Sequence, residues 1–459
     1  MSENRDGSLA IHGGRPVWSG NWPKWPRVNA GTEKMVLEAL HSGRWAISGC
    51  YTGTRSFERR FADEFARYHN VSYCVPTASG SAALSVALEA VGVRRGDEVL
   101  VPGLTWVACA SSVSALGATP ILVDVDPETL CMSVDAARDA LGPKTAAIML
   151  VHLYGTVGDL DGFVALANER KIPLIEDCAQ VHGARWNGRC VGTYGLVGTF
   201  SMQQSKVLTC GEGGAVLTGD PLIYDRLQQL RADGRRYTET EPLPGFMELE
   251  VAGDIQGRNR CLSELQAAVL LGRLPYMDDE NRLREANGEY LGEELRQRGL
   301  GTLQRRPTQV DARTFYHLCV RLNEQAFSGR SSAVVAEALT AELGVLVEAT
   351  YPPLNRNRLY NPLRSPRIEP DGDARNLLNP ARFHLPNCGD AHRSCLTLPH
   401  PVLLADTPAM DSIADAFEKV ARWSRTLAQD GNRQSLAAAS NALLPVGERP
   451  TGLRKGSDG

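Results

Sequence analysis

The 459-residue chain reads as an α/β protein: a large domain on a mainly parallel sheet, then a smaller α+β domain. Two observations predict this. First, short apolar runs recur between residues 54 and 218, at Ser72–Pro76, Glu98–Pro102, Pro120–Asp124, Ala147–Val151, Pro173–Glu176 and Ala215–Thr218. Their hydrophobicity is continuous rather than alternating, the mark of strands buried on both faces. Helical patterns lie between them; in one, Leu84, Ala87, Leu88 and Val91 fall at i, i+3, i+4 and i+7. Second, the pattern changes after about residue 255. Long helical stretches over roughly 263–298 lead to an alternating, strand-like Phe315–Leu322 and a helix near 331–343.

The elements divide the chain into four parts. Residues 1–30 form an arm with Pro16, Pro23 and Pro26, where proline disfavours regular structure, and with Trp18, Trp22 and Trp25. Such large aromatics on an irregular arm call for a surface to pack on, and a partner subunit is the expected one. Residues 31–255 form the large domain and 256–428 the small one. Within the latter, Tyr351 to about residue 386 reads as loop, and Ala409–Leu427 as a final helix. The polar, glycine-containing residues 429–459 read as a disordered tail.

Composition narrows the function classes. Hydrophobic residues make up 43% and charged residues 22%, with a net charge of -4. That is an ordinary globular balance without the basic face that nucleic acid or an anionic membrane demands. No run reaches the ~20 apolar residues of a membrane span, and the first residues lack the apolar core of a signal peptide. The eleven cysteines are scattered with no Cys-x-x-Cys pair. They read as buried, reduced thiols of a cytoplasmic protein rather than a disulfide frame or metal site.

Lys206 carries the chemistry. It lies five residues after Ser201 and five before Gly211-Glu212-Gly213-Gly214, while upstream an apolar run ends in Glu176-Asp177-Cys178-Ala179-Gln180. A lysine that forms a Schiff base and an aspartate that pairs with a pyridinium nitrogen are two protein parts that pyridoxal 5'-phosphate requires. In open α/β sheets ligands bind outside the carboxyl ends of the strands, which is where these residues fall. Thr77-Ala78-Ser79-Gly80-Ser81 joins the first strand to a helix beginning near Ala82. It serves either as a phosphate cradle at a helix N-terminus or simply as a cap and turn. Trp106 is either a stacking wall or a core aromatic. His152 and His182 are either proton shuttles or satisfied structural histidines.

Taken in order, Gly80-Ser81-Ala82-Ala83-Leu84, Gly96-Asp97-Glu98-Val99, Val123-Asp124-Val125-Asp126, Val151-His152-Leu153-Tyr154-Gly155, Glu176–Gln180, Phe200-Ser201 with Lys206, and Gly211–Gly214 resemble the DegT/DnrJ/EryC1/StrS aminotransferases over about residues 30–425. The resemblance implies fold type I, the aspartate aminotransferase-like architecture, in a homodimer with shared active sites. It implies that Lys206 is the Schiff-base lysine and proton carrier, and that Asp177 pairs with the pyridinium nitrogen. By the same carry-over Gln180 faces O3′ of the cofactor, Trp106 stacks on its ring, and Ser79, Gly80, Ser81 and Ser201 hold its phosphate. Asn259, in Gly257–Glu264, matches the segment through which the neighbouring protomer reaches that phosphate. Dehydratase members carry histidine in place of the lysine, so Lys206 points to amino transfer.

Within the family, Gly43–Gly49, Pro102–Ala108, Phe200–Gln204 and Pro353–Asn357 resemble the enzymes that move the amino group of L-glutamine to a keto-cyclitol, scyllo-inosose or 2-deoxy-scyllo-inosose, in aminoglycoside biosynthesis. Leu104-Thr105-Trp106 and Ile47-Ser48-Gly49 are expected to narrow the pocket for such a substrate. Cys210 and the extended tail depart from the pattern. A nucleotide keto-sugar aminotransferase would use the same catalytic set and stays open. A non-catalytic sensor is disfavoured by intact Lys206, Asp177 and Gln180. A nicotinamide-dependent dehydrogenase is disfavoured because no Gly-x-Gly-x-x-Gly follows the first strand.

Overall fold

A computed structural model describes residues 8–364 and 372–429, so the tail expected over 429–459 lies, but for its first residue, outside the described residues. Seven strands form the main sheet: β1 (Tyr73–Thr77), β2 (Glu98–Pro102), β3 (Thr119–Val123), β4 (Thr145–Val151), β5 (Leu174–Asp177), β6 (Val197–Ser201) and β7 (Gly214–Thr218). Their spatial order is β1-β7-β6-β5-β4-β2-β3, with β7 alone running against the rest. The α/β, mainly parallel expectation holds. The strand absent from the six apolar runs is β6. Its Val-Gly-Thr-Phe-Ser holds only two bulky apolar side chains, yet all five residues are buried. Gly198 is required there, since a Cβ would come within 2.1 Å of the Gly192 carbonyl oxygen.

Strand alternation divides the core in two. Val75, Val101, Met149, Ile175 and Val216 pack on one face against helices α3 (Gly80–Ala90), α4 (Ala108–Ala115) and Pro221–Arg231. Cys74, Leu100, Ile148, Leu174 and Leu217 pack on the other, against α1 (Ala30–His41), α2 (Phe57–His69), Leu160–Arg170 and Glu264–Arg273. Helix α3 starts two residues before the expected Ala82, because Ser79 caps it by accepting from Ala82 N.

The long helical stretch expected over 263–298 is two helices, Glu264–Arg273 and Met277–Gln297, with a 3-10 turn at Leu274–Tyr276 between them. Pro275 explains the break, as it has no N–H to continue the ladder. A second, antiparallel sheet has the order β8 (Gly301–Leu303), β9 (His317–Leu322), β11 (Cys395–Pro399), β10 (Glu348–Ala349). Helices Ser332–Leu343 and Thr407–Gln429 cover it, with Leu339, Phe417, Val320 and Leu396 in a common core. Strand β11 was not foreseen. The segment read as loop to about residue 386 contains a helix at Gly372–Leu378 and 3-10 turns at Pro362–Arg364 and Pro380–Arg382.

The aromatic arm packs on its own chain. Trp18 and Trp22 stack at 4.7 Å on the second core, and Trp22 Nε1 donates to the Leu343 carbonyl at 2.7 Å. All eleven cysteines are free thiols; eight are buried, but Cys50 is exposed and Cys210 and Cys261 are half-buried, against the expectation of burial throughout. Among the described residues no helix is long and apolar enough to cross a membrane.

Candidate active site

Asp177 and Ser201 end β5 and β6 in step with Ile175 and Val197, which places them on the α3/α4 face. There, at the carboxyl edge of the sheet, a cavity of about 460 Å³ opens. It brings together Ser79, Gly80, Ser81, Trp106, Asp177, Gln180, Ser201 and Lys206, that is, every predicted site residue except Asn259. Asn259 bridges Ala232 and its Oδ1 accepts from Cys261 N at 3.3 Å, outside this lining. Ile47 likewise does not line the cavity, being buried against Ala232, Tyr237 and Leu249, so of the two expected segments only the Leu104–Trp106 turn reaches it, through Thr105 and Trp106.

Asp177 is buried and has no ion-pair partner among the described residues. Its Oδ1 accepts from Ala179 N at 3.0 Å and its Oδ2 from the Cys109 thiol at 3.2 Å. Burial, with the neighbouring Asp177 charge, pushes the Cys109 thiol well up, so it remains a donor. A buried carboxylate held by one amide and one thiol has unfilled capacity, and that favours a cation in the cavity. Gln180 Oε1 accepts from Tyr154 N at 2.7 Å, so its amide N–H group is the part free to donate.

At the other end, Ser79 Oγ takes Ala82 N and the Ser79 carbonyl takes Ala83 N, which leaves the first N–H groups of α3 at Gly80 and Ser81 for another acceptor. A Cβ on Gly80 would come within 2.5 Å of Ser201 Cβ, so only glycine lets α3 approach β6 this closely. The result is a cup of amides and hydroxyls at the positive end of an eleven-residue helix.

Lys206 is 9% exposed, and its Nζ sits 3.9 Å from the centre of the Tyr316 ring. Tyr316 OH shares a 3.0 Å hydrogen bond with Ser205 Oγ. Trp106, 48% exposed, forms one wall with its ring 5.8 Å from that of Tyr351. Tyr316, Tyr351, Cys109 and Glu212 line the site and were not foreseen. Both tyrosines come from the segment beyond residue 300, and nothing in the local sequence links them to Lys206.

His152 and His182 stand outside the lining. His152 Nδ1 accepts from Gly158 N at 3.1 Å and its Nε2 lies 3.4 Å from Glu176 Oε2, a satisfied structural arrangement. Burial, then the charge of Lys206, lowers His182 to about 3, so it stays neutral. His152, Glu176 and Cys178 offer ligand atoms within 4.8 Å of one another. Glu176, however, already accepts from three backbone amides, Gly192, Tyr194 and Gly195.

The donor set suits pyridoxal 5'-phosphate: an unpaired buried carboxylate, a lysine amine and an amide–hydroxyl cup share one cavity of suitable size. Comparison with known proteins agrees. The chain is 50% identical to an L-glutamine:2-deoxy-scyllo-inosose aminotransferase of Micromonospora echinospora, with 90% of this chain and 97% of the relative covered. It is 46% identical to an L-glutamine:scyllo-inosose aminotransferase of Streptomyces griseus, with 90% and 98% covered. Among solved structures, 3-amino-5-hydroxybenzoic acid synthase superposes with a TM-score of 0.75 at 28% identity, covering 88% of this chain and all of the other. The family model for these enzymes matches residues 27–407, and the chain belongs to the DegT/DnrJ/EryC1/StrS aminotransferase family.

Proposed function

We propose that the protein transfers the amino group of L-glutamine to scyllo-inosose or 2-deoxy-scyllo-inosose in aminoglycoside biosynthesis, releasing 2-oxoglutaramate. The observation that carries this reading is the 50% identity, across nearly the whole of both chains, to an enzyme named for that reaction. When bound, pyridoxal 5'-phosphate supplies the electron sink and carries the amino group between the two substrates. The chain's own residues supply the rest.

Lys206 is the one cationic residue in the cavity lining among the described residues, and its Nζ moves the proton at the amino-bearing carbon of each substrate. Asp177 would keep the pyridine nitrogen protonated, while Cys109 and the Ala179 amide hold the carboxylate in place. The Gly80 and Ser81 amides, with the Ser79 and Ser201 hydroxyls, would hold the phosphate. Gln180 would donate to the cofactor's O3′ and Trp106 would stack on its ring. Asn259 is exposed and outside the lining of its own cavity, which suits a role at the phosphate of a partner subunit in a cytoplasmic homodimer.

A free keto-cyclitol has neither phosphate nor nucleotide, so its recognition rests on hydrogen bonds to ring hydroxyls. Gln203, Glu212 and Tyr351 offer such groups on the lining. A site of this kind discriminates because the wrong substrate leaves its buried polar groups unpaired. The test is a panel of keto-cyclitols and nucleotide 4-keto-sugars with L-glutamine as donor. One of the two inososes should have the highest kcat/KM. A nucleotide 4-keto-sugar with kcat/KM well above both would replace this reading with that of a nucleotide-sugar aminotransferase.

A further inference from the structure

The segment carrying Lys206 is gripped from behind by two residues distant in sequence. Trp25, in the N-terminal arm, donates its Nε1–H to the Lys206 carbonyl at 3.2 Å. His400 Nε2 lies 3.0 Å from the Ser205 carbonyl. The tautomer follows from the other side of the ring, where Arg284 Nε donates to His400 Nδ1 at 3.1 Å. An arginine offers only donors, so Nδ1 must accept and Nε2 must carry the hydrogen given to Ser205. Burial, then the Arg284 charge, holds His400 far below the usual histidine range, in keeping with a neutral ring.

The grip is expensive to build. Arg273 and Arg284 are both buried, and they share the Glu280 carboxylate at 2.8 and 3.4 Å. Two buried cations on one carboxylate leave charge uncompensated. The Trp25 ring faces both, with the guanidinium carbons 5.1 and 5.0 Å from its centre, and meets His400 edge-on at 4.7 Å. A hydrophobic plug would fill this space at lower electrostatic cost. What it would lack is two oriented N–H donors for consecutive carbonyls beside the reactive amine.

We infer that Trp25 and His400 are positioning residues for Lys206: they fix the Ser205–Lys206 backbone so that the amine is presented at the Tyr316 face, which makes the N-terminal arm part of the active-site machinery. The inference rests on Lys206 being the reacting amine, as proposed above. The two carbonyls are held from behind while Nζ meets Tyr316 in front, so losing either donor frees the loop without touching substrate or cofactor.

Trp25→Phe keeps an aromatic face for both guanidiniums and removes only the N–H. His400→Leu removes the other donor, whereas His400→Gln retains an N–H able to reach the Ser205 carbonyl. Trp25→Phe and His400→Leu should each lower kcat about tenfold or more, since small misplacements of a reacting group are costly. KM for L-glutamine should be unchanged, and His400→Gln should recover most of the loss. A readout independent of turnover is the rate at which hydroxylamine strips the cofactor from each holoenzyme, followed by absorbance. It should rise in Trp25→Phe and His400→Leu and return toward normal in His400→Gln.

Wild-type kcat and release rates in Trp25→Phe and His400→Leu overturn the inference. So does a loss of activity that merely tracks a lowered melting temperature and is not recovered in His400→Gln. Lys206→Ala, run alongside, separates the two layers. If it retains turnover, the assignment of Lys206 itself fails. If it is inactive while the arm variants are normal, only the positioning role fails.

Discussion

Glu176 and Asp177 are adjacent acids at the end of one strand, both buried, and they face opposite sides of the sheet. On the α2 side, Glu176 accepts from Gly192 N at 2.8 Å, Tyr194 N at 2.7 Å and Gly195 N at 2.6 Å, and it meets His152. On the α3 side, Asp177 has a single backbone amide and a weak thiol donor. The first carboxylate is filled by the protein and organises the turn leading into β6. The second is left short of partners at the edge of a cavity. What separates a structural from a chemical acid here is residual capacity, not burial or position along the chain.

Lys206 is the cavity's counterpart to that unfilled acid, and its removal should have the largest effect. Lys206→Ala should abolish turnover, because the proposed function makes the amine both the anchor for the cofactor and the proton carrier. Circular dichroism should show the fold retained, since among the described residues the amine has no ion pair and meets the face of Tyr316. Aminotransferase activity near wild type in this variant would falsify the assignment.

Asp177→Asn comes next. The amide is nearly isosteric but cannot hold a proton on the pyridine nitrogen. Turnover should fall by at least ~3 kcal/mol of barrier, each 1.4 kcal/mol being tenfold, in protein whose cofactor content is measured by absorbance. Near-normal rates in a fully loaded variant would remove Asp177 from the chemistry.

Glu176→Gln should behave in the opposite way. Either carboxylate oxygen replaced by an NH2 group sets a donor against backbone N–H donors. Folding stability should drop by about 2–3 kcal/mol, read from urea unfolding, while kcat per loaded, folded molecule stays close to wild type. A kcat that falls as far as that of Asp177→Asn, with stability intact, would erase the distinction between the two acids.

Much of this was legible in the sequence. The main-sheet strands other than β6 announced themselves because strands buried on both faces are apolar throughout. Asp177, Ser79–Ser81 and Ser201 were legible because each sits directly at a strand end or helix start, and Lys206 because it lies five residues after the strand that ends at Ser201. Strand β6 was hidden because close backbone packing at Gly198 and the cup at Ser201 demanded small and polar residues. Tyr316 and Tyr351 were hidden for a different reason. They reach Lys206 only through the docking of the second sheet on the first, and no local period encodes that. Trp25 was visible as an aromatic in need of a surface. One surface it packs on is the back of the Lys206 loop.

Glu264 is a third buried acid, and it offers the finest test of residual capacity. Its carboxylate accepts from Phe57 N at 2.7 Å and Glu58 N at 3.2 Å, where it caps α2. Two amides favour the ionised form, yet burial and the nearby Glu58 outweigh them and push the Glu264 carboxyl up to about 7. In the unfolded chain the same group titrates near 4.3, as any free glutamate does, within about a unit. Below that pH both states carry the proton, and the group adds no pH dependence. Between the two values the unfolded chain gives up a proton that the folded protein keeps. The stability this group contributes is therefore lost as pH rises from about 4.3 to about 7, by linkage. Glu264→Gln carries no titrating proton and lacks that slope. Urea midpoints of wild type and variant at pH 5 and pH 7.5 should show the variant gaining on wild type at the higher pH, a modest effect beside those above. A gap that widens with pH would mean that the two amides prevail, and that Glu264, like Glu176, is filled by its backbone donors and ionised in the fold.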